Sequence, residues 1–527
     1  MPSLRLLFSG YLLPNSRGNL SSHLARAMFA WLFSLFSPRQ PTISPPSTRT
    51  VPCSGIDIIA SEIILTTGLI VNAQLNPKIL EESLCKSIET KLPRAGARLA
   101  KKNGSYEFRI PDAFDAATPT AGFTVAHHPE VYNCSGRPEI PLGMKNSKPC
   151  VVPRPGAELS PNTPLVHVHV AVFQDLTLIG VTAPHIGFDA VGTGTLLNAW
   201  ARVVNGEDLD SIPAMPWDAQ PFSSMAPTVA PSTKRGWFDL GWFKKFWFIL
   251  GFIRVVIRDP QEIQHLVRMP KTFLEEEKRK AMDELKAEGS SEYVGSSDVL
   301  AAWWYKIIYG IRAPADPTPI HIHIVNNLRN HPIFGSSPSP PLAPLSYPFL
   351  NNAVMTIPVP PLPVNTIQTQ PLRSIALHLR RAILLYNADP AAIRTDVEWH
   401  GYAPNRGKTV YPCPPGSEFF VQSSWRVAGY GALDFSGAVV EKFSGAVVEK
   451  FSGAVVEKFS GAVVENDTSA AKPRVVFLHW FGSSKNTIPY RNSAVVGMED
   501  DEVIWVGYVC GKKEWEKIRQ RGELEFV

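Results

Sequence analysis

The sequence has little net charge, few cysteines and no hydrophobic run long enough to cross a bilayer. Its 52 lysines and arginines nearly balance 47 aspartates and glutamates, and the net charge is +5. Charge therefore gives no reason to expect a nucleic-acid partner, and we expect none. The apolar run Ala27–Phe36 is about ten residues long, whereas a membrane-spanning helix needs roughly 20.

The cysteines are too few and too scattered to form a disulfide framework. No two of them have the C-x2-4-C spacing of a structural zinc site, and we predict no metal site. The spacing also lacks the regularity of a disulfide-rich secreted domain, which favours a reduced compartment and a cytoplasmic protein. The six residues are Cys53, Cys85, Cys134, Cys150, Cys413 and Cys510.

Proline, in contrast, is abundant, and it marks linkers. The 48 prolines cluster in Pro38–Pro52, Pro213–Pro231 and Pro332–Pro363, where they stiffen connections and block regular pairing. A chain of 527 residues is too long for one ordinary core, so we predict two large domains. The predicted organisation is a disordered or amphipathic extension (residues 1–50), a first domain (51–215), a crossover linker (216–290) and a second domain (291–527).

The stretch His185–Trp200 organises the first domain. Two extended, β-branched runs, Val166–Phe173 and Leu176–Thr182, precede it and predict a hairpin. His185 and Asp189 then stand four residues apart. A histidine on a loop carried by a rigid hairpin is well placed to act as a general base.

Two glycines follow this histidine. Gly192 and Gly194 are expected to loosen the backbone before an apolar helix over Leu196–Val204. An HxxxD spacing alone is common by chance. Its non-catalytic interpretation is a hydrogen-bonded histidine beside a carboxylate at the start of a helix.

Residues 236–258 form an aromatic and basic segment in the predicted linker. Trp and Phe residues are interspersed there with four basic residues, Lys244, Lys245, Arg254 and Arg258. One interpretation is a helix that lies in a bilayer interface, which would give peripheral membrane contact. The other is an apolar crossover helix packed against the core, whose basic side chains extend to solvent.

Four near-identical octapeptides occupy residues 435–466. FSGAVVEK occurs three times and FSGAVVEN follows. A period of eight is too short for a solenoid, and removing three copies leaves a continuous LDFSGAVVENDTS. We interpret them as a duplication inserted in a loop, because loop insertions add little closure entropy.

Five motifs follow one another along the sequence. They are LNPKILEESLCKSIETKLPRAGARL, HIGFD, SSDVLAAWW, PFLNNAV and SSWRVAGYGALDFSGA. In this order they resemble the BAHD acyltransferase superfamily, particularly its fungal transferase-type members, and the resemblance extends from about Val51 to Val527. The sequence departs from the family pattern at Ala190, where glycine is usual, at Asn351, also usually glycine, and after Asp434-Phe435, where Gly-Trp-Gly is missing.

The resemblance implies an α/β (α+β) fold and a function. Two chloramphenicol-acetyltransferase-like domains, each a mixed β-sheet flanked by helices, would enclose an active-site channel between them. His185 would be the catalytic base, while Asp189, Gly192 and Asp434 would be structural. Acyl-CoA would be the co-substrate, no cofactor would be tightly bound, and the protein would be a monomer.

The residues fit direct acyl transfer. An imidazole accepts a proton near neutral pH because its ordinary pKa is ~6.5. The sequence has no G-x-S-x-G element, so a direct transfer to a small lipophilic alcohol or amine is expected rather than an acyl-enzyme. The main alternative is a catalytically inactive, membrane-associated or regulatory binding protein on the same fold. A condensation-type, amide-forming enzyme is a further alternative. It is disfavoured because Pro184 stands where those enzymes have a second histidine.

Overall fold

The structure is a computed structural model. Arg49–Val527 forms one compact unit, which contains every element below apart from the first residue of β1. The described residues are 47–61, 63–102, 105–132, 163–231, 234–335, 342–406, 408–441, 473, 475–484, 491–500 and 502–522.

Sixteen strands are assigned in the described residues. The first eight are β1 (Thr48–Pro52), β2 (Ile63–Val71), β3 (Gln74–Leu75), β4 (Arg98–Lys102), β5 (Ser105–Pro111), β6 (Gly122–His127), β7 (His167–Val172) and β8 (Thr177–Pro184). The others are β9 (Glu262–Pro270), β10 (Pro319–Asn327), β11 (Val354–Pro363), β12 (Glu418–Ser424), β13 (Val439–Glu441), β14 (Val475–Ser484), β15 (Ser493–Glu499) and β16 (Val503–Gly511).

Ten α-helices flank them in the same described ranges. They are α1 (Gly55–Ile58), α2 (Pro77–Thr90), α3 (Ala190–Val204), α4 (Trp242–Arg258), α5 (Lys271–Ala287), α6 (Ser296–Tyr309), α7 (Val364–Thr369), α8 (Leu372–Asn387), α9 (Pro390–Gly401) and α10 (Lys512–Gln520).

Two mixed sheets form the framework, which confirms the predicted fold class. One has five strands in the order β14-β2-β8-β7-β6, with β6 and β7 parallel. The other has six strands in the order β11-β10-β12-β15-β16-β9, with β12 parallel to both β10 and β15. Smaller sheets join β1, β5 and β4, and pair β13 with β3. Each large sheet therefore combines parallel and antiparallel neighbours.

Each large sheet has its own hydrophobic core. One cluster joins α2, α3 and the five-stranded sheet, with Leu80, Leu84 and Trp200 among its fully buried members. A second cluster joins α5, α6, α8 and the six-stranded sheet around Trp304 and Tyr305. Helix α2 begins at Pro77 because the Asn76 side chain accepts hydrogen bonds from two backbone amides and proline fits the first turn.

Several local predictions need correction. Helix α3 begins at Ala190 rather than Leu196, so Gly192 and Gly194 lie inside its first turns and do not loosen a loop. The reason is that Asp189 caps the helix by accepting from the Gly192 amide at 2.7 Å. In α6 the cap residue is Gly295, and its amide donates to the Asp298 carboxylate of the first turn at 2.8 Å.

The aromatic segment is a helix, α4, and none of its 17 residues is buried. The interpretation of this segment as a crossover helix in the core is therefore wrong. Membrane contact stays a prediction. Most of the octapeptide repeat lies outside the described residues.

Candidate active site

His185 is the first residue of the loop that joins β8 to α3. Strand β8 is buried along its whole length inside the five-stranded sheet. The His185 amide donates to the Ile63 carbonyl at 2.8 Å, so the loop is held to β2 as well as to β8. The side chain of His185 is half-buried. A rigid strand thus presents a histidine that remains partly accessible.

Asn352 fixes the orientation and the tautomer of His185. The Asn352 Nδ2 donates to the carbonyl oxygens of His185 at 2.7 Å and of Asp57 at 3.3 Å. Because carbonyls only accept, this side of the amide must be NH₂, and Oδ1 must be the atom 3.2 Å from His185 Nδ1. Neutral His185 then carries its proton on Nδ1 and has its lone pair on Nε2.

Asp189 is buried and turned away from the histidine ring, toward Arg329. The two guanidinium nitrogens of Arg329 donate to the two carboxylate oxygens at 2.9 and 3.0 Å, a bidentate pair. The amides of Gly192 and Ala353 also donate to the carboxylate, at 2.7 and 2.9 Å. Four hydrogen bonds therefore hold Asp189, which fixes the start of α3 to the segment before β11.

Gly192 allows that segment to approach α3 closely. A Cβ atom on Gly192 would lie 1.8 Å from the Leu350 carbonyl oxygen. Gly194 has the same role against the loop after β12, because its Cβ would lie 2.6 Å from the Ala428 carbonyl oxygen. Both glycines are needed for close packing between elements distant in sequence.

A second asparagine links the histidine loop to a buried arginine. Asn351 Nδ2 donates to the Gly187 carbonyl at 3.2 Å, and its Oδ1 accepts from Arg94 at 2.9 Å. Arg94 also donates to the Trp217 carbonyl. Burial lowers the pKa of Arg94 to about 10, an effect that the charge of Asp57 opposes. Arg94 remains a cation at neutral pH.

Asp57 lies beside this network and lines a cavity of about 220 Å³ together with Arg94. Its Oδ2 accepts two hydrogen bonds from Ser54, both at 2.7 Å. Its Oδ1 is buried and has no hydrogen-bond partner among the described residues. Burial raises the pKa of Asp57 to about 6, although Ser54, Arg94 and the Asn352 backbone favour the ionised form.

Asp434 lies at the opposite end of α3 from His185. Its Oδ1 accepts from the Ser436 amide at 2.8 Å, and its carbonyl accepts from Asn205, which ends α3. Phe435 is buried against Trp200, with ring centroids 5.4 Å apart. A helix of 15 residues is roughly 22 Å long, so the structure does not bring Asp434 to His185.

Sequence reasoning identified the loop and missed most of its partners. The sequence assigns no role to Asn352 of the PFLNNAV motif. It does not distinguish Arg329 or Asp57 as site residues. A signal existed for Asp57, since Ser54 and Asp57 have capping-box spacing. Nothing in the local sequence distinguishes Arg329 from other arginines at strand ends.

Known proteins are similar to this chain over most of its length. Acetyltransferase adrJ of Penicillium rubens is 28% identical over 451 residues, covering 78% of this chain and 86% of the relative. A protein of Penicillium decumbens named transcriptional regulator calD is 24% identical over 445 residues, with the same two coverages. No protein-family model matches the sequence.

A solved structure shares the fold. It is TRI101 of F. sporotrichioides complexed with coenzyme A and T-2. Its TM-score is 0.58 at 16% identity, and the match covers 90% of this chain and 98% of that one.

The chain shares the fold of the CoA-bound structure just described, and a relative that matches it over most of its length is named an acetyltransferase. These similarities support an acyltransferase and agree with the resemblance to the BAHD acyltransferase superfamily.

Proposed function

We propose that the protein transfers an acyl group from acyl-CoA to the oxygen, or nitrogen, of a small lipophilic secondary metabolite, with His185 as general base. The observation that carries this proposal is the hydrogen bonding of Asn352. It leaves the Nε2 lone pair of a half-buried histidine free to accept a proton.

The proposed reaction is a direct transfer. His185 Nε2 takes the proton of the acceptor hydroxyl as its oxygen attacks the thioester carbonyl. The C–S bond then breaks, CoA leaves as a thiolate, and the imidazolium returns the proton to sulfur. The ester and free CoA are the products. His185 starts and ends neutral, so no other acid or base is needed.

The names of two similar proteins support the donor and the class of acceptor. A relative is called an acetyltransferase, and solved structures with coenzyme A also contain T-2, which is named as a mycotoxin. We take acetyl-CoA as the first donor to test and T-2 toxin as the first acceptor. The acceptor of this chain need not be T-2 toxin, so pooled lipophilic alcohols and amines complete the panel.

A catalytically inactive regulatory or binding protein is the second candidate. Two observations favour it: the relative named a transcriptional regulator, and the second motif, which reads Asp434-Phe435-Ser436-Gly437-Ala438 in place of D-F-G-W-G. Both candidates share the fold. They differ in whether His185 performs chemistry.

Release of free CoA distinguishes the two candidates. We expect acceptor-dependent release from acetyl-CoA by the wild type, and a fall of roughly 10²–10⁴-fold in His185→Ala, the usual contribution of a general base. Asn352→Ala should give a rate between the two, because His185 would lose its fixed tautomer. His331→Ala is the matched control, since His331 is also half-buried but contacts Asn326 instead.

Two outcomes would contradict the proposal. Release that persists unchanged in His185→Ala would remove His185 as the base. No release with any donor or acceptor, even after three octapeptide copies are deleted, would favour the binding protein. The monomeric state, the cytoplasmic location and the lack of a tightly bound cofactor stay predictions.

A further inference from the structure

Helix α4 presents its apolar stripe to solvent. Trp242, Phe246, Leu250 and Ile257 recur at intervals of four, four and seven residues, which places them on one helical face. Trp242 is 82% exposed and Ile257 73% exposed. An amphipathic helix ordinarily turns this stripe toward the core, so here the usual orientation is reversed.

The same helix carries positive charge and no negative charge. Lys244, Arg254 and Arg258 are exposed, and Lys245 is half-buried. No aspartate or glutamate occurs between Trp242 and Arg258. On the helical wheel, Arg254, Arg258 and Lys244 follow one another in that order on one side of the apolar stripe, with Arg254 nearest to it. The outward surface of α4 therefore combines aromatic rings with cations, and the helix itself contributes no carboxylate to neutralise them.

The inner side of α4 attaches the helix to the body of the protein. Phe248 packs edge-on against Tyr411, with ring centroids 4.8 Å apart. Beyond the end of the helix, Asp259 accepts from the Lys513 amide at 2.9 Å. A cavity of about 540 Å³ lies between the helix and the body. The helix is thus fixed by one face and its end, and its apolar stripe remains uncovered.

We propose that α4 docks the protein on the surface of an anionic lipid bilayer. Aromatic and aliphatic side chains along one face, with basic residues beside them, are what a helix lying in the interface plane requires. The 17-residue helix is about 25 Å long, and no described helix is long and apolar enough to span a bilayer. The net positive charge of the helix selects an anionic headgroup surface over a neutral one.

This inference does not depend on acyl transfer. It concerns a surface that contains none of the residues of the His185 site. A lipophilic acceptor dissolved in the bilayer would gain from an enzyme held there, but docking itself requires no turnover. Vesicle binding can therefore fail while CoA release succeeds, or the reverse.

The first test measures cosedimentation with vesicles. The full-length protein should bind vesicles of 70% phosphatidylcholine and 30% phosphatidylserine. Trp242→Ser/Phe246→Ser should bind at least about tenfold more weakly, because two large apolar side chains no longer enter the interface. The matched control, Leu384→Ser/Leu385→Ser, changes two exposed apolar residues of helix α8 and should bind as the wild type does.

The second test separates charge from apolar burial. Each basic residue near an anionic leaflet contributes about 1 kcal/mol, or about fivefold. Lys244→Gln/Arg254→Gln should therefore bind the anionic vesicles about 25-fold more weakly than the wild type. Lys86→Gln/Lys286→Gln removes two exposed lysines from other helices and should have little effect.

Three results would overturn the proposal. The first is no binding of the wild type to anionic vesicles. The second is equal loss of binding in the α4 variants and their matched controls. The third is a dimer in light scattering that Trp242→Ser/Phe246→Ser dissociates, with no vesicle binding, which would assign the stripe to a second copy of the chain. Circular dichroism and thermal unfolding should show that all four variants remain folded.

Discussion

Helices α3 and α4 are similar in length and in apolar content, yet one is buried and the other is exposed. Eleven of the 15 residues of α3 are buried, whereas none of the 17 residues of α4 is. Helix α3 has a single charged residue, Arg202, in its last turn, where it pairs with Glu207. Helix α4 has four basic residues spread along its length. Apolar content alone therefore does not determine which helix enters the core.

The difference lies in what surrounds each helix. Polar anchors fix α3 at both ends, Asp189 at its start and Asn205 at its end, and glycines allow neighbouring backbone to approach it. Helix α4 has no side-chain cap at its start, and ideal Cβ atoms on Gly241 and Gly251 would meet nothing within 4 Å. Buried helices need close neighbours and paired polar groups, and α3 has both.

Two tryptophans give the largest expected contrast. Trp200 of α3 is fully buried and donates to the Leu80 carbonyl at 2.9 Å. Trp200→Ala should lower the free energy of unfolding by about 3–5 kcal/mol, because it removes a large buried ring together with its hydrogen bond. Trp242→Ala in α4 should change it by less than about 0.5 kcal/mol. Chemical denaturation of both variants measures the contrast, and equal losses would show that α4 is part of the core.

The buried ion pair at the start of α3 gives the next contrast. Asp189→Ala should lower the free energy of unfolding by about 3–5 kcal/mol, because it leaves the Arg329 charge buried without its partner. Arg254→Ala on α4, where the charge is exposed, should cost less than about 0.5 kcal/mol.

A double variant identifies the cause of the Asp189 effect. Asp189→Ala/Arg329→Met removes both charges and should be more stable than Asp189→Ala alone. If the double variant were instead the less stable of the two, the loss would come from helix capping and packing and not from an unpaired charge.

The main features of α3 and its hairpin were predictable from the sequence. Alternation of β-branched residues identifies β7 and β8, and the Asn76-Pro77 pair identifies the start of α2. Sheet membership was less accessible: β9, from the predicted linker, pairs with β16, and β14, from the predicted second domain, pairs with β2. Pairing between segments hundreds of residues apart leaves no local periodicity, so only the three-dimensional structure reveals it.

For the same reason, only part of the site could be predicted from the sequence. His185 and Asp189 stand together in the sequence, and their spacing is visible. Asn352 and Arg329 reach them from more than 130 residues away, through hydrogen bonds that depend on the fold. The burial of α3 and the exposure of α4 could not be predicted either, because the burial of a helix depends on its neighbours as much as on its composition.

Incomplete pairing of a buried carboxylate should appear in the pH dependence of stability. Asp189 has four hydrogen bonds, whereas one oxygen of Asp57 has no partner among the described residues, and burial raises the pKa of Asp57 to about 6. An unfolded aspartate has a pKa of about 3.9, so the folded state binds this proton more tightly. Asp57 therefore contributes stability that is complete below about pH 4 and lost as pH rises through about 6.

Asp57→Asn isolates this contribution. Relative to the variant, the wild type should lose about 2–3 kcal/mol of unfolding free energy between pH 4 and pH 7.5. Denaturation of both proteins across this range measures the difference, and all other titrating groups cancel. A difference that stays constant with pH would mean that the carboxylate is ionised throughout and has a partner.

Substitutions of two glycines have the smallest individual effects on stability. Their comparison is the sharpest, since the substitution is identical and the expected signs are opposite. Gly192→Ala places a methyl group against the Leu350 carbonyl in the first turn of α3, and it should lower the free energy of unfolding by about 1–3 kcal/mol. Gly251→Ala in the middle of α4 meets nothing within 4 Å, and it should stabilise the helix by about 0.5–1 kcal/mol, because alanine has the higher helix propensity. Thermal unfolding monitored by circular dichroism tests both substitutions. Destabilisation by Gly251→Ala would mean that another surface packs closely on α4, and the helix would then not be free to meet a bilayer.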